Sequence, residues 1–150
     1  TVDISQVVAN IQKETALHLK EHAVTVDNRP PADIQVKGNQ SLLYSVFRNL
    51  TDNAIAYAGE GSTITLSAEK TSQQEWRFTF SDNGVGVPHE HLARLFERFY
   101  RVDKGRSRKM GGTGLGLAIV KNAILLHGGS VSVKNALPPN HGLIFTFTLK

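Results

Sequence analysis

The sequence predicts an α/β chain of the α+β type, a two-layer sandwich in which three helices cover one face of a mixed, mostly antiparallel sheet. Three observations carry this reading. Apolar residues recur at helical spacing in three separate stretches. Other runs alternate apolar and polar residues with the period of two that a half-buried strand shows. Those runs alternate instead of being continuously apolar, which marks a sheet with one buried and one wet face.

Asp3 with Gln6 three residues later makes a capping-box-like start to the first helix, and Ile4, Val7, Val8 and Ile11 share its inner face. Residues 23–27 and 34–36 read as short strands flanking the turn Arg29-Pro30-Pro31. Gly38-Asn39 opens a second helix running to about Ala58, with Leu42, Leu43, Val46, Phe47, Leu50 and Ile55 as its apolar stripe and Gly59 and Gly61 ending it. Ile64, Leu66 and Ala68, then Trp76, Phe78 and Phe80, are two strands joined across residues 71–74. A short helix through Phe96 follows Pro88. A third long helix starts near Thr113 and stops at His127-Gly128-Gly129. Val131 and Val133, then Leu143, Phe145, Phe147 and Leu149, are the last two strands, joined across Pro138-Pro139-Asn140.

At 150 residues the chain has the length of one domain with a core of its own. With 40% hydrophobic and 20% charged residues it is neither disordered nor fibrous, and no run approaches the roughly 18 apolar residues a membrane helix needs. The absence of cysteine excludes disulfides, thiolate metal sites and cysteine catalysis. The net charge of +4 is unevenly distributed. Residues 94–109 carry Arg94, Arg98, Arg101, Lys104, Arg106, Arg108 and Lys109 against Glu97 and Asp103, a local +5, so the rest of the chain sums to −1. That basic stretch lacks the interleaved aromatic residues of a nucleic-acid surface, and no nucleic-acid partner is expected. His18/His22 and His89-Glu90-His91 lack the spacing and the third ligand of a zinc site.

Three constellations carry chemistry. Asn49 and Asn53 sit one helical turn apart on the second helix, and Tyr57 continues their face. Asparagine is a mediocre helix former, and its amide oxygen is a hard, neutral ligand suited to magnesium. The second is Asp82-x-Gly84-x-Gly86 at a strand end, flanked by Val85, Val87 and Pro88. A carboxylate is acceptor-only, and in an apolar slot it selects a donor such as the exocyclic amine of adenine. The third is Gly112-Thr113-Gly114-Leu115-Gly116 running straight into a helix. Glycines let backbone amides approach an anion, and the helix N-terminus favours negative charge. The run follows an irregular loop instead of a strand and lacks the glycine-lysine-serine/threonine sequence of a P-loop, so phosphate binding of another architecture is expected.

In this order the motifs resemble the nucleotide-binding catalytic domain of bacterial sensor histidine kinases, within the Bergerat-fold ATPase superfamily, across essentially all of residues 1–150. The Asn box is Asn49-Leu50-Thr51-Asp52-Asn53-Ala54, the first glycine box Asp82-Asn83-Gly84-Val85-Gly86, the phenylalanine box Phe96-Glu97-Arg98-Phe99-Tyr100, and the second glycine box Gly112 to Gly116. The resemblance implies that the chain binds ATP and Mg2+, with Asn53 on the metal and Asn49 supporting metal and phosphates. It implies Tyr57 against the adenine, Asp82 on its amine with Gly84 and Gly86 shaping that loop, and Gly112, Thr113, Gly114, Leu115 and Gly116 around the phosphates. Arg101 would neutralise charge on the transferring γ-phosphoryl group. Residues 100–112 would form a mobile lid anchored by Phe96 and Phe99 packing on the body.

Two departures stand out. Ala56 occupies the position before Tyr57 where the family commonly has lysine or arginine, leaving Lys104, Arg106, Arg108 or Lys109 to compensate. No histidine sits in the family's phosphoacceptor pattern. The expectation is therefore a catalytic domain that transfers the γ-phosphoryl group to a histidine on a separate dimerisation domain. A response regulator would act downstream, within a cytoplasmic part of a parent anchored in the inner membrane, with no direct membrane contact by this domain. An ATP-hydrolysing relative would be expected to carry a glutamate base where Asn49 stands. A catalytically degenerate nucleotide-binding regulatory module is the remaining alternative; Ala56 keeps it open, and the intact Asn53, Asp82 and glycine boxes count against it.

Overall fold

Asp3 starts the first helix as the sequence predicts, its carboxylate accepting from the Gln6 amide at 3.2 Å. The computed structural model describes residues 1–28, 33–71, 74–100 and 115–150. The elements are β1 (Val2–Asp3), α1 (Ile4–Glu14), α2 (Ala16–Glu21), β2 (Thr25–Asn28), β3 (Gln35–Val36), α3 (Gln40–Tyr57), β4 (Thr63–Lys70), β5 (Trp76–Asp82), α4 (His89–Leu92), α5 (Gly116–Leu126), β6 (Val131–Asn135) and β7 (Leu143–Leu149). Asn39 caps α3 by accepting from the Leu42 amide at 3.0 Å.

Five strands form one mixed sheet in the order β2-β4-β5-β7-β6. β2 runs parallel to β4, and every other pair is antiparallel. Phe78 pairs with Phe147 and Phe80 with Phe145, which puts four aromatic rings on one face. The opposite face carries Thr65, Ser67, Thr79, Ser81, Thr146 and Thr148, all half-buried. Threonine suits this position because its branched stem fits a pleated strand and its hydroxyl tolerates water. α1, α3 and α5 supply the second layer, with Ile4, Val7, Val8 and Ile11 of α1 and Val120, Ala123 and Ile124 of α5 in the same core as the sheet. Phe47 of α3 lies edge-on to both Phe78 and Phe147 with ring centres 5.5 Å apart, and those two stack on each other at 5.2 Å. Full burial of each such ring is worth about 1.5–3 kcal/mol before any aromatic pairing.

The structure departs from the sequence reading at three places. The first helical stretch is interrupted at the buried Thr15 and followed by a separate α2; the Thr15 hydroxyl donates to the Ile11 carbonyl at 2.7 Å, beside its own amide on the same oxygen at 2.9 Å. The strand expected at 34–36 does not join the main sheet. It pairs with β1 in a two-stranded antiparallel sheet, Val2 opposite Val36. The short helix expected to reach Phe96 stops at Leu92 and continues as turns with bonds from Arg94 to His91 and from Glu97 to Arg94. The start of the third long helix is described from Leu115 onward, and Thr113 and Gly114 lie outside the described residues.

Candidate functional site

The site is assembled where α3, the N-terminus of α5, the end of β5 and the β6–β7 turn meet. Asn49 stands on α3 with its amide nitrogen donating to the Ser45 carbonyl one turn back at 2.8 Å. That bond turns Oδ1 away from its own helix. A Cβ placed on Gly116 would lie 3.1 Å from this oxygen, so the first residue of α5 comes against Asn49 with little room for a side chain. Asn53 follows one turn later and is half-buried, as is Tyr57.

β5 ends at Asp82, whose Oδ1 accepts from the Gly84 amide at 2.9 Å and from the Leu143 amide at 3.4 Å. Among the described residues no donor reaches Oδ2. Burial pushes the Asp82 carboxyl above its ordinary range, and it outweighs the two backbone amides and the charge of His141, which act in the opposite direction. A partly buried carboxylate with one oxygen engaged and one open is an acceptor in search of a donor.

The loop after Asp82 is pinned on several sides. The Thr63 amide donates to Asn83 Oδ1 at 2.6 Å, and the Asn83 amide donates to the Thr63 carbonyl at 3.2 Å. Gly84 lies so close to the end of α3 that an added Cβ would meet the Ala58 carbonyl oxygen at 2.1 Å. This contact brings the Asp82 loop next to the helix that carries Asn49, Asn53 and Tyr57. Gly86 has φ +70°, and an added Cβ there would meet Asn135 Oδ1 at 2.7 Å. Glycine is thus required at 84 and 86 by close approach of other parts of the chain.

Asn135, His141 and Gly142 escape the sequence reading. Gly142, at φ +110°, backs directly onto Asp82, whose carbonyl oxygen would lie 2.0 Å from an added Cβ. The Asn140-His141-Gly142 turn signal is present in the sequence, but nothing in it says that the turn folds onto residue 82.

In the phenylalanine box, Phe96 is partly buried and meets Phe145 edge-on with ring centres 6.0 Å apart. Phe99 does not pack on the body as expected. It is 63% exposed and sits at φ +65°. The left-handed backbone there turns the side chain outward, under the Arg98 guanidinium 5.7 Å from its ring centre. Tyr100 is hydrogen-bonded to His91 Nδ1 and lies 4.5 Å beneath the Arg94 guanidinium. Arg101, Lys104, Gly112, Thr113 and Gly114, with the rest of 101–114, lie outside the described residues.

Among the described residues no three His, Asp or Glu side chains gather as a metal cage. The donors that are present, two neutral amides, suit a magnesium ion that keeps its waters and takes its remaining ligands from phosphates. No described helix is long and apolar enough to cross a membrane.

The comparisons with known proteins point one way. A family model described as histidine kinase-, DNA gyrase B- and HSP90-like ATPase matches residues 38–150. The sensor histidine kinase WalK of Bacillus subtilis (strain 168) is 37% identical over 131 residues, which covers 87% of this chain and 21% of WalK. The sensor-like histidine kinase SenX3 of Mycolicibacterium smegmatis is 34% identical over 148 residues, covering 99% of this chain and 38% of SenX3. Among solved structures, the mycobacterial sensor histidine kinase MprB superposes with a TM-score of 0.85 at 28% identity, covering 99% of this chain and 95% of that one. The chain thus spans well under half the length of these curated relatives. On the family match and these relatives, the chain belongs to the histidine kinase-, DNA gyrase B- and HSP90-like ATPase family, as an ATPase domain of the sensor histidine kinase kind.

Proposed function

We propose that residues 1–150 are the ATP-binding catalytic domain of a sensor kinase, which passes the γ-phosphoryl group of Mg-ATP to a histidine on a separate dimerisation domain. The observation that carries this reading is the state of Asn49. Its nitrogen is tied to Ser45 and its oxygen faces the glycine start of α5. An amide can support a metal or a phosphate, but it cannot take a proton from water. Without a base there, hydrolysis is disfavoured and the phosphoryl group waits for a nucleophile from outside.

In this reading the open Asp82 oxygen accepts from the exocyclic amine of adenine and Tyr57 lies against the ring. The amides of Gly112, Thr113, Gly114, Leu115 and Gly116 line the phosphates, with the helix dipole of α5 behind them. Asn53 holds magnesium with Asn49 beside it, and the ion supplies charge neutralisation on the phosphates. Arg101 and Lys104 add positive charge near the γ-phosphoryl group, and one of Lys104, Arg106, Arg108 and Lys109 replaces the cation missing at Ala56. The bond from the γ-phosphorus to its bridging oxygen breaks, a phosphorus–nitrogen bond forms to the incoming imidazole, ADP leaves and the imidazole proton is released. The parent is a membrane-anchored kinase whose response regulator takes the phosphoryl group next.

Incubation with γ-labelled ATP and magnesium tests the reading. Alone, the chain should acquire no stable label on its six histidines. Mixed with the phosphoacceptor domain, it should label that partner. Rapid phosphate release by the unaccompanied chain would replace transfer with hydrolysis as its activity.

A further inference from the structure

We propose that the β6–β7 turn sets the base selectivity of this site, with Asn135 and His141 as positioning residues that fix Asp82 and its loop. The inference rests on Asp82 as the reader of adenine.

The loop from Asn83 to Pro88 contains two glycines, so left to itself it would sample many conformations. Asn135, the last residue of the edge strand β6, closes a two-bond ring with Val87. Its Nδ2 donates to the Val87 carbonyl at 2.6 Å, and its Oδ1 accepts from the Val87 amide at 3.1 Å. The carboxamide thereby pairs with the loop as one more strand residue would. Gly86 has to lack a side chain for Asn135 to come this close. The second glycine of the motif is thus clearance for the clamp.

His141 works at the other end of the loop. Its Nδ1 lies 2.8 Å from the Gly84 carbonyl oxygen, and since a carbonyl only accepts, Nδ1 carries the proton. Gly84 is therefore gripped twice, its carbonyl by His141 and its amide by Asp82 Oδ1. With the Leu143 amide on the same oxygen, the carboxylate has one rotation left and presents Oδ2 in one direction. A carboxylate held in this way rewards the amine of adenine and repels the carbonyl that guanine carries in its place. If the loop slid or Asp82 turned, the site would keep its charge and lose that discrimination. Asn135 and His141 both lie outside the glycine and asparagine motifs.

The test is calorimetric titration of ADP and GDP, without magnesium, into the chain and into His141→Ala, His141→Asn, Asn135→Ala, Asn135→Asp and Asp82→Asn. His141→Ala and Asn135→Ala should each weaken ADP roughly tenfold, about the effect of one misplaced buried hydrogen bond, and leave GDP unchanged, so the ratio collapses. His141→Asn should restore the ratio, because its amide donates where Nδ1 did. Asn135→Asp keeps the acceptor for Val87 and loses the donor, so it should fall between. If Asn135→Ala does not fold, the aspartate variant and the His141 pair carry the test. An unchanged ADP:GDP ratio in the His141 and Asn135 variants, with ADP binding lost in Asp82→Asn, would overturn this inference and leave the adenine reading standing. Unchanged ADP binding in Asp82→Asn would overturn both.

Discussion

The ring of His127, just past the end of α5, accepts from the backbone amide of Asn39 at the start of α3, Nε2 to nitrogen at 3.1 Å. Its Nδ1 lies 2.7 Å from the Ala123 carbonyl. An amide only donates and a carbonyl only accepts, so the proton sits on Nδ1. Asn39 in turn caps α3 through Leu42. One imidazole therefore joins two helix ends, and at the far end of α5 Gly116 meets Asn49. His127→Ala removes this link, leaving the exposed Asn39 amide to water, and should cost about 0.5–1.5 kcal/mol, read as a lower denaturant midpoint at unchanged slope.

Gly84→Ala should disturb the site through the fold. An added Cβ meets the Ala58 carbonyl oxygen at 2.1 Å, backbone against backbone, so neither side can yield by changing a rotamer. A loss on the order of 2 kcal/mol is expected, with weaker nucleotide binding, because the loop must lift off the end of α3. Thermal unfolding beside ADP titration measures both.

Asp82 gives a pH dependence with a definite sign. Its carboxyl titrates above the ordinary aspartate range, chiefly because burial penalises the charged form. A group raised in the folded state contributes stability below its unfolded value and loses that contribution as pH rises through the folded one. Asp82→Asn should therefore be at least as stable as the parent at neutral pH, with the advantage fading under acid. Its ADP affinity should nevertheless fall more than tenfold. Melting curves across the acid range, set against ADP titration, check the opposite signs.

The two phenylalanines of the 96–100 stretch should separate cleanly. Phe96 packs on Phe145, and Phe96→Ala should cost roughly 2–4 kcal/mol, discounted from a full core truncation because the ring is only partly buried. Phe99 is exposed at a positive φ, so Phe99→Ala should fall within about 0.5 kcal/mol. Phe99→Gly should be neutral or stabilising, since glycine adopts that backbone freely. Chemical denaturation of the three variants decides it.

Asn53→Ala should remove the part of ATP affinity that depends on magnesium and spare the metal-free part. ATP titrations with magnesium and with a chelator make the comparison. An equal loss in both would shift Asn53 from the metal to the nucleotide.

Elements whose pattern is local are legible in the sequence. The caps at Asp3 and Asn39, the apolar stripe of α3 and the alternation of β4, β5, β6 and β7 are each legible within a few residues. Hydrophobic periodicity and capping act over one or two turns, so no distant contact is needed to read them. The chemical types of the candidate site residues were legible for the same reason, since Asn49 and Asn53 share a face on any helix and Asp82 ends any strand. What those residues touch follows from packing between distant segments. Asn135 reaches Val87 across 48 positions and His141 reaches Gly84 across 57, and a polar residue near a turn carries no mark of its partner. The same holds for the break between α1 and α2 at the buried Thr15, and for β3, which pairs with β1, Val2 opposite Val36, instead of joining the main sheet. Glycine at 84 and 86 was visible in the sequence as a turn. That each glycine is demanded by a neighbour's approach, Ala58 at one and Asn135 at the other, follows from packing between segments that periodicity cannot see.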